Sequence, residues 1–351
     1  MNIKKGIAVT VLIIFGVYAV QSVGSDPHTR DLIFRFARES GLMQTGTKTE
    51  SSSSGGDDAD ISQTAETNSE LTSETLPPFP SEVEVPETEM PKPKESQAVL
   101  PTTIEGGMVI SNDTSYELDI GTLASAGTSV KLASDGPQVL IIHTHGSEAY
   151  TQDDTDSYKV SDTFRTQDTE HSVIRVGDEL ASCFESYGLS VIHDRSIYDY
   201  PSYTGSYAKS QAAVESYLKK YPSISVVLDV HRDAIGDNDV VYKTVAESDG
   251  KPCAQFMLLV GTGENGLEHP NWQENLKFAL YLQSAVVAKY PSLPRPIALK
   301  KERYNQHLST GYLILEVGSS GNSLSEALNA VRLFADAAAP ALKELSQSSN
   351  Q

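Results

Sequence analysis

Apolar residues along this chain fall into two patterns, and the boundary between them lies near residue 106. Beyond it, short runs of consecutive apolar residues alternate with stretches in which apolar residues recur every three or four positions. "QVLIIHTH", "LSVIHD", "SISVVLDVHRDA" and "GYLILEVGS" are runs of the first kind, as expected for strands buried on both faces. "SVIRVGDELASCFESYG" is of the second kind: Val173, Val176, Leu180 and Phe184 share one side and Gly188 is a stop signal. "SYAKSQAAVESYLKKYP", "NWQENLKFALYLQSAVVAKYP" and "SLSEALNAVRLFADAAAPALKELS" also read as helices. The last opens on a Ser323–Glu326 capping box and should kink at Pro340. "DVVYKTVAE" and "CAQFMLLVGTG" read as a hairpin across "SDGKP", and "MVISN", "SYELDI" and "SVKLA" as short strands. Strands alternating with helices predict an α/β domain over 106–351, a mostly parallel open sheet with helices on both faces.

Before residue 106 the pattern is different. Gly6 to Val20 is almost wholly apolar after Lys4 and Lys5, which predicts an uncleaved signal-anchor over 1–24. The lysines would remain cytoplasmic and the rest of the chain would lie outside the membrane. Residues 25–46 fit a short juxtamembrane helix. Residues 47–105, rich in Ser, Thr, Glu and Pro, have too few apolar residues to offset chain entropy and read as a disordered tether.

Composition changes this picture little. The net charge of −20 excludes nucleic acid as a natural partner, and about half of the excess sits in the tether. Two cysteines, Cys183 and Cys253, cannot form a disulfide framework, and Cys183 lies on an apolar helical face.

The chemistry lies where strands end. In open α/β sheets, ligands bind outside the carboxyl ends of strands. Three strands here finish in "HTHGSE", "LDVHRD" and "LILEVG". His145 and Glu148 have the spacing H-x-x-E, and His231 ends a separate strand. Two histidines and a glutamate are one ligand set of catalytic Zn2+, with a fourth position left for water. Glu316 is then a spare carboxylate that can take a proton from the attacking water and return it to the leaving amine. His143, two residues before His145, competes for the metal or contacts substrate. By strand alternation, Asp229 would accept the second N–H of His231. Arg232 would bind a substrate carboxylate or pair with Asp233. Asn305 and His307 precede the Glu316 strand and could reach substrate, whereas His171, His193 and His269 carry little signal.

Together "VLIIHTHGSEAY", "VIRVGDELASCFESYGLSVIHD", "VVLDVHRDA", "QFMLLVGTGENGLEHPNWQENLKFA" and "LSTGYLILEVGSSGNSLSEAL" resemble the stage II sporulation protein P family, from about Gln138 to Leu342. That resemblance implies a fold similar to peptidoglycan amidases and, more remotely, zinc carboxypeptidases. It implies an N-acetylmuramoyl-L-alanine amidase that also cuts peptide cross-links during forespore engulfment. The implied partners are a lytic transglycosylase (sporulation protein D) and a membrane protein (sporulation protein M). In amidases of the related zinc type the metal glutamate opens a helix well after the first histidine. Glu170 occupies that place here and is the rival of Glu148. A zinc enzyme cutting only the stem peptide, or a non-catalytic wall-binding scaffold, are the alternatives.

Overall fold

The computed structural model describes residues 108–236, 240–248 and 251–347. The expected anchor, the juxtamembrane helix and the tether lie outside them, and no helix among the described residues is long and apolar enough to cross a membrane.

In chain order the strands are β1 (Ile110–Asn112), β2 (Val139–Ile142), β3 (Val191–His193), β4 (Val226–Asp233), β5 (Ala246–Ser248), β6 (Lys251–Cys253), β7 (Phe256–Gly261), β8 (Ile297–Lys300) and β9 (Tyr312–Ser319). The helices are α1 (Ile120–Ser125), α2 (Val173–Ser186), α3 (Ser206–Lys220), α4 (Trp272–Lys289) and α5 (Leu324–Gln347). A mixed open sheet of seven strands has the order β1-β8-β7-β9-β4-β2-β3. All its neighbours are parallel except β7 with β9. Thus β9, β4, β2 and β3 run one way and β7, β8 and β1 the other.

Alternation along the strands divides the core. Val139 and Ile141 pack with α2, α4 and α5 on one face, while Leu140 and Ile142 join Val214 of α3 on the other. Both faces are therefore apolar, which is why these strands read as unbroken hydrophobic runs. Helix starts follow their caps. Ser172 accepts a hydrogen bond from the Ile174 N–H at 3.2 Å. Ser323 and Glu326 close the expected capping box, at 3.1 and 3.3 Å.

Three expectations are corrected. "SYELDI" does not form a strand, because Asp119 accepts from Thr122 N at 3.0 Å and caps α1 instead. Neither does "SVKLA": Val130 and Leu132 are buried in the core without a strand partner. The hairpin across "SDGKP" is confined to β5 and β6, and Phe256–Gly261 leaves it to join the main sheet beside β9. Helix α5 continues through Pro340. Both cysteines are free.

Candidate active site at the β4 and β9 strand ends

Strand β4 pairs with β9 so that His231 lies directly opposite Glu316. A two-residue period puts Asp229 on the same side of β4 as His231, and its carboxylate accepts from His231 Nε2 at 2.8 Å. The same carboxylate accepts from Thr144 N at 2.8 Å, Thr144 Oγ1 at 2.6 Å and Tyr312 Oη at 3.1 Å. Asp229 thereby fixes both His231 and the start of the turn that follows β2.

That turn delivers His145 and Glu148, with Glu148 N donating to His145 O at 3.0 Å. His231 Nδ1 lies 3.4 Å from Glu148 Oε2, and the rings of His145 and His231 meet edge to face at 5.3 Å between centroids. His145 Nδ1 faces Ser206 Oγ at 3.4 Å and Asp199 at 3.8 Å, which leaves Nε2 as its nitrogen for a ligand. All three side chains are buried. Among the described residues no three His, Cys, Asp or Glu side chains meet as a finished metal cage.

The electrostatics are those of a cation site. Burial opposes charge on His231, but Asp229 and Glu148 outweigh it and hold the imidazole well above the ordinary histidine range. Burial would raise Glu148, yet Arg232 and His231 hold it well below the usual carboxylate range. His145 is pushed down to about 4, by burial first and then by His231. Glu316 is different: burial pushes it up to about 8 against the pull of His231, with Asp233 and Glu148 adding repulsion. The residue is half-buried, while its Oε2 is shielded and has no hydrogen-bond partner.

The remaining sequence expectations divide. His143 does not join the cluster. Its Nδ1 contacts Val230 O at 2.8 Å and its Nε2 contacts His193 Nε2 at 2.8 Å. Strand β2 stops at Ile142, so the alternation that would put His143 beside His145 no longer applies. Arg232 is not open to a substrate carboxylate: Nε donates to Ala149 O at 2.9 Å and Nη2 to Phe164 O at 3.0 Å, while Nη1 lies 3.8 Å from Glu148. Nor does it pair with Asp233, which binds Arg295 at 2.6 Å. Asn305 is buried and donates to Tyr207 O at 2.9 Å and Ser210 Oγ at 3.0 Å, tying its turn to α3. Glu170 is exposed and pairs with Arg195 at 3.0 Å.

Other residues of the site carried no motif. Asp199 accepts from Ser147 Oγ at 2.6 Å and pairs closely with Arg165. Tyr203, 58 % exposed, stacks on His145 at 4.5 Å, and Tyr207 meets the same ring edge-on at 5.5 Å. The one sequence signal for them is the tyrosine density of "SIYDYPSYTGSY".

The family described as Stage II sporulation protein P (SpoIIP) matches residues 37–339. The chain belongs to that family. A curated member, stage II sporulation protein P of Bacillus subtilis (strain 168), is 29% identical over 220 residues, which cover 58% of this chain and 50% of the relative. The chain thus spans about half the length of that relative. Among solved structures, the CwlD amidase from Clostridioides difficile in complex with the GerS lipoprotein is 9% identical with a TM-score of 0.38, covering 61% of this chain and 100% of that one. The N-acetylmuramoyl-L-alanine amidase AmiC2 of Nostoc punctiforme is 11% identical with a TM-score of 0.34, covering 60% and 98%. Both likenesses are weak and carry nothing about the site. In this SpoIIP family member the polar strand ends all lie within the matched residues 37–339.

Proposed function

We propose that this protein is a zinc-dependent peptidoglycan hydrolase that cleaves the lactyl amide between muramic acid and L-alanine during sporulation. The observation that carries this reading is the convergence of His145, Glu148 and His231 beside the unpartnered carboxyl of Glu316.

The donor set fits zinc. Two imidazoles and one carboxylate are a catalytic ligand set, and ligands at ~2.0–2.1 Å around a tetrahedral ion lie about 3.3 Å apart. His231 Nδ1 and Glu148 Oε2 are 3.4 Å apart. Two buried carboxylates around one imidazole also call for positive charge, which a divalent ion supplies as well as a proton does. When bound, zinc would polarise the amide carbonyl and favour ionisation of a water near neutral pH.

The chain's own groups do the rest. Asp229 holds His231 by Nε2 and so commits Nδ1 to the ligand side. Arg232 orients Glu148 and holds the 149–164 loop through two carbonyls. Glu316 takes the proton of the attacking water and hands it to the departing amine; a carboxyl lifted to about 8 suits both halves of that transfer. Tyr203 and Tyr207 flank His145 and limit water on that side.

An internal bond is favoured over a chain end, because the arginine that would bind a free carboxylate is spent on backbone carbonyls. Cleavage of peptide cross-links belongs to the same proposal. So do the membrane anchor at 1–24 with the catalytic domain outside the cell, the tether, and work beside sporulation proteins D and M; family membership supports these.

Mass spectrometry of the products after the zinc-supplied protein digests peptidoglycan tests the reading. Free stem peptides beginning with L-alanine, absent with Glu316→Gln, are expected. Cut cross-links with intact lactyl amides would make it an endopeptidase, and no products at all would favour a wall-binding scaffold.

A further inference from the structure

The sheet has two sets of carboxyl ends. Those of β9, β4 and β2 carry the His–Glu cluster, but β7, β8 and β1 run the other way. Gly261, the last residue of β7, therefore lies level with the start of β9, about four strand residues, or roughly 13 Å, from the level of Glu316. The crevice rule applies to this opposite edge as well.

A cavity of about 550 Å³ opens there, a size usual for small-ligand sites. Its wall comes from the segment after β7 (Thr262, Gly263, Gly266–Pro270), from Tyr116 after β1, and from Trp272 at the start of α4. Tyr116 is 38 % exposed and stacks on Trp272 at 4.8 Å, so one face of an aromatic pair is presented to a ligand. His269, in the same wall, is 5 % exposed; Asn275 and the Gly261 backbone lie beside its ring, but neither ring nitrogen closes a well-formed hydrogen bond to them. The His307 ring lies 6.5 Å away between centroids, and its shielded Nδ1 also lacks a partner. Buried polar groups without partners cost about 1–3 kcal/mol each, so a cluster of them calls for an explanation.

The ligand chemistry follows from the lining. No lysine or arginine faces the cavity and its one charged residue is Glu268, which disfavours phosphate or carboxylate. An imidazole at neutral pH offers one donor and one acceptor. An aromatic face with a donor–acceptor pair at its side suits a neutral ring having an apolar C–H face and polar edges. We propose that this pocket is a second saccharide site, which stacks an N-acetylhexosamine ring of a glycan strand on Tyr116 and hydrogen-bonds it through His269. The source of the sugar rests on the peptidoglycan reading above; the recognition chemistry does not. Such a site holds a glycan at the sheet edge opposite the catalytic cluster.

Trp272 is the only tryptophan in the chain, so its emission reports on this pocket alone. The purified full chain should be titrated with a β-1,4-linked N-acetylglucosamine tetramer while that emission is followed. A saturable change is expected, kept in Glu316→Gln and at least about tenfold weaker in Tyr116→Ala and His269→Gln. Tyr116 is a surface residue, so its variant tests the site even where loss of His269 disturbs folding. No saturable change, or unchanged midpoints in both variants, would overturn the proposal. An inactive digest with an intact titration would instead remove the hydrolase reading and leave the sugar site standing.

Discussion

Asp229 does more in the candidate site than any residue that would touch a metal. One buried carboxylate accepts from His231 Nε2, from Thr144 twice and from Tyr312. Asp229→Asn turns one oxygen into a donor facing groups that already donate. Zinc affinity should fall about 10- to 100-fold with the fold retained, read by competition against a chelator and by circular dichroism. This residue was legible, because period-two spacing in a buried strand needs only two positions. The placement of Glu316, His145, Glu148 and His231 near one another was legible for a related reason: each interrupts or ends an apolar run. His143 and Arg232 were not. Where His143 points depends on the end of β2 at Ile142, and the partners of Arg232 are carbonyls 83 and 68 residues away. Asp199 sits in a loop whose sequence has no period at all.

Elements were read well where burial is two-sided and poorly where a single cap decides. The runs that became β2, β4 and β9 have no competing local structure, whereas one Asp119 side chain caps α1 at the end of an alternating stretch and leaves that stretch out of the sheet. Packing between elements is equally local. Gly177, within α2, lies over His143 and His193: a Cβ there would meet their Nε2 atoms at 2.5 and 2.6 Å. Neither ring can retreat easily, since His143 is tied to Val230 O and His193 to Asp178 at 3.1 Å. Gly177→Ala should therefore destabilise by about 1–3 kcal/mol despite the better helix propensity of alanine. A lower urea midpoint with an unchanged slope is the expected signature.

For the whole molecule, buried neutral histidines set the acid limit. Burial and the neighbouring His193 push His143 down to about 3, and burial pushes His269 down to about 4. An unfolded histidine takes its proton near 6.5, so the unfolded chain binds protons first as pH falls. Their contribution is whole above about 6.5 and is lost between there and 3–4, with a slope of up to about 1.4 kcal/mol per pH unit for each. Thermal midpoints should thus drop steadily from pH 7 to 4, and His269→Gln should flatten part of that fall. At this scale the sequence predicted an α/β sheet but not its reversal between β7 and β9, because strand direction depends on pairings far apart in the chain.

In the proposed mechanism one zinc ion binds between the β2 turn and the end of β4, with Glu316 beside it as a base. Metal content by elemental mass spectrometry tests this most directly, on wild type and on Glu148→Ala, His231→Ala, Glu170→Ala and Glu316→Gln. One zinc per chain is expected in wild type, Glu170→Ala and Glu316→Gln, with loss in Glu148→Ala and His231→Ala. Zinc retained in Glu148→Ala and lost in Glu170→Ala would place the metal carboxylate on Glu170 instead.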